Sequence, residues 1–270
     1  MKIGFVGMGN MGRMLVTALL RAGALDPAST IVSNRSRERL TQMASLFPQL
    51  TTTGRNDVLA RGAHVIFLCI KPGETKAALA EMRPYITPEH LLVIITNTVM
   101  IPTLEEATPA RVAKVIPSIV QGVGAGASLL MFGDRCTVAD RALLDQLLRA
   151  ISTPVVIQES QARICSNLSS CGPAFLAYVY RALSAAARQY QPDLSPELID
   201  QLVRETVKAT SQLIEQNGYA WTDVIDRVST PGGITAEGIK VLDEQLAGVW
   251  EQVMETTICK EELKKAKVEL

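Results

Sequence analysis

Apolar residues follow two different rhythms along this chain, and the change falls near residue 160. In the first part, short runs that are apolar throughout alternate with stretches at helical spacing. The runs Met1–Val6, Thr30–Ser33, His64–Ile70, Leu91–Thr96 and Val112–Ile116 predict strands. His64–Ile70 reads His-Val-Ile-Phe-Leu-Cys-Ile, as a central parallel strand covered on both faces should. Between them, Met11–Arg21 carries Met14, Leu15, Ala18 and Leu19 on one face, with Gly23 as a stop. Arg37–Leu46 and Thr75–Met82 are further helices. Strands alternating with helices predict a doubly wound α/β sheet, with helices on both faces.

Beyond the segment Ala139–Ile157 no strand-like alternation appears. Pro173–Gln189 is alanine-rich, with Phe175, Val179, Leu183 and Ala186 at three- and four-residue steps. Ser195-Pro196-Glu197 is a strong helix start, and that helix runs to Gln216, where Asn217-Gly218 stops it. Thr222–Val228, Thr235–Asp243 and Ala247–Lys267 supply three more helices. The reading is an α/β domain over residues 1–160 and an all-α domain over 161–270. Small residues along Ala182–Ala187 allow close helix packing, and the helical half has few aromatics from which to build a core alone. A homodimer through that half is therefore expected.

Composition narrows the chemistry. The chain has 270 residues, 47% hydrophobic, enough for a sizeable core without disulfides or metals. Its 27 basic and 27 acidic residues cancel, which argues against nucleic acid or an anionic membrane as partner. No apolar run approaches the roughly 18 residues of a membrane span. The glycines within the first dozen positions fit a strand and turn better than a signal peptide. The two histidines, His64 and His90, are far apart, so metal and histidine-based catalysis are poorly supplied. Five cysteines form no C-x-x-C pair and read as reduced thiols of a cytoplasmic protein. Cys171 reads as a small residue in a tight turn.

The first strand runs into Gly7-Met8-Gly9-Asn10-Met11-Gly12, which opens the first helix. Gly-x-Gly-x-x-Gly in that context is the dinucleotide fingerprint of a Rossmann-type domain: a tight turn, a bare backbone for a pyrophosphate, and close helix–strand packing. An NAD site would place a carboxylate at the end of the second strand. This chain reads Ser33-Asn34-Arg35-Ser36-Arg37 there, and Arg35 and Arg37 suit a 2′-phosphate, so NADPH is expected over NADH. Lys71-Pro72 follows the third strand at the sheet's ligand-binding edge. No lysine lies in Ala162–Phe175 to polarise a carbonyl, which leaves an imine as the more forgiving substrate. Later, Ser229-Thr230-Pro231-Gly232-Gly233-Ile234-Thr235 makes a turn whose N–H groups, at a helix start, suit a carboxylate.

These motifs, with Ser169–Phe175 as Ser-x-x-Gly-Pro-Ala-aromatic, make the chain resemble the pyrroline-5-carboxylate reductases over nearly its whole length. The resemblance implies NADPH-dependent reduction of a cyclic imine, 1-pyrroline-5-carboxylate, to L-proline. Gly7, Met8, Gly9, Asn10, Met11, Gly12, Asn34, Arg35, Ser36, Arg37, Lys71 and Pro72 would bind the cofactor. Thr230, Gly232, Gly233 and Thr235 would bind substrate, with Thr235 as proton donor to the imine nitrogen, directly or through water. It also implies that the helical domain pairs with that of a second subunit to build the substrate site.

Three segments depart from the family pattern. Met-Pro-Asn-Thr-Pro-Ala becomes Ile116-Pro117-Ser118-Ile119-Val120-Gln121. Ser-x-x-Ala-Gly becomes Thr96-Asn97-Thr98-Val99, and Gly-Ser-Gly-Pro-Ala-Tyr becomes Ser170-Cys171-Gly172-Pro173-Ala174-Phe175. The set is similar to the ComER-like, late-competence branch. It leaves open an alternative: a paralogue that binds NADP(H), has lost or changed the reductase activity, and serves a regulatory role.

Overall fold

A computed structural model describes residues 1–267. The first half alternates as expected: β1 (Ile3–Val6), α1 (Asn10–Arg21), β2 (Thr30–Ser33), α2 (Arg37–Leu46), β3 (Thr51–Thr53), α3 (Asn56–Gly62), β4 (Val65–Leu68), α4 (Thr75–Met82), β5 (Leu91–Ile94), α5 (Ile101–Ala107), β6 (Arg111–Ile116), β7 (Ala127–Phe132), α6 (Val138–Arg149) and β8 (Thr153–Val156). The strands form one sheet in the order β3-β2-β1-β4-β5-β6-β7-β8. All neighbours pair in parallel except β6 and β7, which are antiparallel.

The chain winds outward from β1 to β3, then returns to the other side of β1 at β4. Ligands of open α/β sheets bind at such a reversal, at the carboxyl ends of the strands. The Gly7 loop after β1 and Lys71 after β4 both stand there. Two apolar layers sandwich the sheet. Phe5, Phe67 and Val93 pack under Leu15 and Leu19 of α1 and Leu144 and Leu148 of α6. Val6, Ile66 and Ile94 pack on Leu59, Leu79, Met82 and Leu104 on the opposite face. Phe5 and Phe67 stack across β1 and β4 at 4.7 Å.

Among the described residues, eight strands stand where the pattern predicted five. β3 is three threonines at the sheet edge, and β8 is a largely exposed edge strand containing Pro154, so neither carries a buried-strand signature. β7 reads Ala-Ser-Leu-Leu-Met-Phe, whose Leu and Met suit a helix as well as a strand. The sheet is therefore mostly rather than wholly parallel, because the short segment from Ile116 to Ala127 carries no crossover helix and β7 folds back beside β6.

After β8 the chain is helical: α7 (Ala162–Ser166), a π-helical turn (Asn167–Cys171), α8 (Gly172–Tyr190), α9 (Pro196–Asn217), α10 (Trp221–Val228), α11 (Ile234–Leu246) and α12 (Val249–Lys265). Ser195 caps α9 by accepting from Leu198 N at 3.2 Å, and Gly218 closes it in the left-handed conformation. Packing divides the chain into two compact units. Met1–Pro173 together with the segment from Thr257 form one, and Ala174–Thr256 form the other. The boundary lies past residue 160 because Ala162 joins the apolar layer under the sheet, and the end of α12 is held to the first unit by buried Glu261. No helix among the described residues is long and apolar enough to cross a membrane.

Candidate functional site

In the first unit, the loop after β1 is forced into shape by its own glycines. Gly7 has φ +96°, and a Cβ there would sit 2.6 Å from the Cys69 carbonyl oxygen. A Cβ at Gly12 would lie 2.1 Å from Gly7 O. Both are glycine for reasons internal to the fold. Gly9 is not: its backbone is extended, and a Cβ would meet only Arg39 Nη1, at 3.9 Å. The space over Gly9 is open, and it opens onto the first turn of α1. The N–H groups of Asn10, Met11 and Gly12 there have no helical acceptor, and no acidic residue stands in that turn. The arrangement is that of an anion cradle.

A cleft of about 520 Å³ lies over this loop, lined by Gly7, Gly9, Asn34, Arg35, Lys71 and Glu74, among others. Asn34 acts as a clamp rather than a free ligand. Its Oδ1 accepts from Met8 N at 3.0 Å and its Nδ2 donates to Ser36 O at 3.3 Å. Met8 therefore has no N–H to offer, and its side chain is buried in the core. Ser36 caps α2. Arg35 and Arg37 line a second depression against Thr52, Thr53 and Gly54, so Arg35 stands at the wall shared by the two. Pro72 opens the turn leading to Glu74, and the Lys71 amide donates to Glu74 Oε2 at 3.2 Å.

Three cleft residues carried no signal in the sequence. Arg39, one turn into α2, donates to Met8 O at 3.3 Å. Asn56 opens α3 and bridges Ser33 Oγ to Glu81 Oε2. Glu74 pairs with Arg35. No fingerprint spacing covers them, because each reaches the cleft from a different strand's loop. The two histidines are occupied elsewhere: His64 Nδ1 accepts from Lys2 N at 3.2 Å, and His90 lies within bonding distance of Thr87 and Ala60.

The carboxyl ends of β5 and β6 hold the departing segments, and they are tied down. Asn97 Nδ2 donates to Glu261 Oε2 at 2.8 Å, and Arg163 Nη1 donates to the same oxygen at 2.8 Å. Arg163 Nη2 also reaches Asn167 Oδ1 at 2.9 Å and Cys171 Sγ at 3.3 Å. Ser118 is buried and donates to Ser169 O at 2.9 Å. The wholly buried Lys114 of β6 pairs with Glu159 and lies 3.4 Å from Asn97 O. Burial pulls its ammonium below the usual lysine range, and Glu159 partly restores it. Burial also pushes the Cys69 thiol up to about 12 and that of Cys136 to about 11, keeping both neutral.

In the second unit, Thr230–Gly233 form a turn closed by Gly233 N donating to Thr230 O at 2.8 Å, with Gly232 at φ +74°. A Cβ on Gly233 would lie 2.6 Å from Thr230 Oγ1, so the turn requires glycine. Gly233 caps α11 without a side chain, leaving the N–H groups of its first turn free, and Thr235 is exposed in that turn. Thr230, Gly232, Gly233 and Thr235 thus come together around one helix start.

Comparison with known proteins agrees with both halves. Residues 2–98 match a family described as NADP oxidoreductase, coenzyme F420-dependent. Residues 159–263 match the pyrroline-5-carboxylate reductase dimerisation family. The chain is 32% identical over 263 residues to ComE operon protein 4 of Bacillus subtilis, covering 97% of this chain and 96% of that one. It is 28% identical, over the same shares, to pyrroline-5-carboxylate reductase 3 of that organism. Its fold is similar to that of Plasmodium falciparum pyrroline carboxylate reductase with NADP bound, at a TM-score of 0.85 and 24% identity, covering 99% of this chain and 98% of that one.

Proposed function

Given that the chain belongs to the pyrroline-5-carboxylate reductase family, we propose which of its residues carry the reaction. The protein is an oxidoreductase that reduces 1-pyrroline-5-carboxylate, a cyclic imine, to L-proline with NADPH. The observation that carries the assignment is the open cradle over Gly9 at the sheet's reversal point, with Arg35 and Arg37 where an NAD site would hold a carboxylate. The residues fit the cofactor, which when bound supplies the hydride. The N–H groups of Asn10, Met11 and Gly12 hold the pyrophosphate, and Gly7 and Asn34 fix the loop that presents them. Arg35, Ser36 and Arg37 hold the 2′-phosphate, with Lys71 on the opposite wall.

The turn at Thr230–Gly233 and the free N–H groups opening α11 hold the substrate carboxylate. Thr235 donates a proton toward the imine nitrogen, directly or through water, as the neighbouring carbon takes the hydride. The test is NADPH oxidation by the pure protein with 1-pyrroline-5-carboxylate, beside a reference reductase. Turnover within about a hundredfold of the reference, roughly 2.7 kcal/mol of barrier, supports the reading.

A second reading is favoured by the similarity to ComE operon protein 4 and by Ser118, whose hydroxyl is spent on Ser169 O. In it the chain binds NADP(H) but has lost or changed the reaction. Absence of turnover with NADPH binding intact selects this reading.

We also propose a homodimer, formed through residues 161–270. Between Ala174 and Thr256 only Ser184 and Ile199 are buried. Leu176, Val179 and Leu183 make an exposed stripe on α8, and Trp221, Ile225 and Val228 another on α10. A unit of this size with so little core does not stand alone in water, and a second copy supplies the missing apolar cover. The five free thiols support a cytoplasmic location.

A further inference from the structure

The cleft contains a carboxylate that the NADPH reading does not use. Glu74 lies on the turn after β4, across the glycine loop from Arg35 on the turn after β2, and the two form an ion pair. The partners differ in freedom. Glu74 follows Pro72 in a tight turn, runs directly into α4, and has its second oxygen held by the Lys71 amide at 3.2 Å. Arg35 is 84% exposed and makes no other hydrogen bond among the described residues. The carboxylate is the anchored member and the guanidinium the one that moves.

We propose that Glu74 sets the strength of this chain's preference for NADP(H) over NAD(H), by competing with the 2′-phosphate for Arg35. The inference rests on the reading of Arg35 as a 2′-phosphate ligand. A phosphomonoester carries about −1.5 to −2 charge near neutral pH against −1 for the carboxylate, so it takes the guanidinium when present. Taking it breaks the existing pair and leaves an anchored carboxylate facing the phosphate. A dinucleotide without the 2′-phosphate leaves the pair intact and meets neither cost. Glu74 therefore weakens NADPH binding selectively. It does so from a loop other than the end of β2, where the discriminating carboxylate of an NAD site stands. The sequence spacing hides it for that reason.

Calorimetric titration at low ionic strength isolates the effect, using adenosine 2′,5′-bisphosphate and 5′-AMP as probes of the adenosine end. Glu74→Gln keeps an acceptor for the Lys71 amide and removes the charge. The expected result is that E74Q binds the bisphosphate roughly two- to fivefold tighter, the range of an exposed ion pair, with 5′-AMP unchanged. In an Arg35→Ala background the gain disappears. NADPH and NADH, titrated by fluorescence, follow the same pattern. Equal changes for both probes, no change for either, or a gain that survives R35A overturn the proposal, as does weaker 5′-AMP or NADH binding, which would make Glu74 a ribose ligand. If the wild type binds the bisphosphate no better than 5′-AMP, the Arg35 premise fails and takes the proposal with it. If the wild type does prefer it and E74Q does not alter that preference, only the competition fails.

Discussion

Lys114 and Glu159 form a pair whose two members should be very unequal in what their loss costs. Lys114 is wholly buried in β6, whereas the Glu159 side chain is 17% exposed and accepts from Ile101 N at 3.0 and 3.3 Å. Glu159→Gln leaves a buried ammonium with only neutral acceptors, the new amide oxygen and Asn97 O. Breaking a buried pair this way costs about 3–5 kcal/mol, and the surviving acceptor places E159Q near 3. Lys114→Met leaves a carboxylate that keeps its Ile101 bonds and some water, so its cost is about 1 kcal/mol. The double variant should be more stable than E159Q alone, with a coupling of about 2 kcal/mol. Urea unfolding followed by far-UV circular dichroism reads all four proteins.

The pH dependence supplies a second check on that pair. The Lys114 pKa is lowered in the fold, so between that value and 10.5 the unfolded chain holds the extra proton and stability rises with pH. Without the Glu159 charge the depression deepens, and the E159Q deficit should shrink as pH is raised toward 10.5. A K114M variant as damaging as E159Q, or a deficit independent of alkaline pH, would refute the reasoning.

Two other expectations concern the glycine loop and what lies under it. The raised Cys69 thiol contributes stability that is whole below its ordinary value of 9.0 and is lost as pH climbs from there toward about 12. Wild type should therefore lose about 1 kcal/mol relative to Cys69→Ala between pH 9 and 10, and parallel unfolding curves would show that the thiol is not buried neutral. Gly9→Ala should leave the melting temperature nearly unchanged, because its Cβ meets open space, yet weaken NADPH at least about tenfold, or 1.4 kcal/mol. Gly12→Ala, whose Cβ would collide with Gly7 O, should be destabilised outright, and equal melting for the two variants would contradict the geometry.

What the chain reveals before folding depends on whether a signal is local. The strand–glycine–helix order, the missing carboxylate after β2, the Ser195 cap and the Pro-Gly-Gly turn are each written within a few consecutive residues, and all are legible. α2 and α4 keep their predicted bounds, and the β2 run is found whole. β3 and β8 are not legible, because edge strands bury too little to be marked by apolar pattern. The same limit applies inside the cleft. Arg39, Asn56 and Glu74 follow three different strands, β2, β3 and β4, and meet only because those parallel strands end on the same edge of the sheet. Asn34 is singled out by its place after β2 and does line the cleft, but its side chain clamps Met8, a contact that needs the loop's folded path to be seen.

The departures from the family pattern are also non-local, and this bears on how they should be weighed. Thr96–Val99, Ser118 and Cys171 look like three separate losses in the sequence. In the fold they converge on one polar assembly. Asn97 bonds Glu261, Arg163 bonds both Glu261 and Cys171, and Ser118 bonds the Ser169 carbonyl two residues before Cys171. Glu261 is buried, and Lys265 adds a further contact to it at 3.1 Å. A carboxylate in that position is tolerable only while its donors remain, so Asn97 and Arg163 constrain each other through it. Ser118 is likewise enclosed: a larger asparagine there would have to displace the Ser169 backbone that the serine now holds. Ile119 is exposed by contrast, so a threonine there would meet little steric resistance. The altered residues therefore support one another as a set, and putting back the family's Asn and Thr at 118 and 119 alone would disturb the Ser169 tether without rebuilding the loop after β5. A variant that exchanges residue 118 therefore tests the Ser169 tether and leaves the loop after β5 as it is.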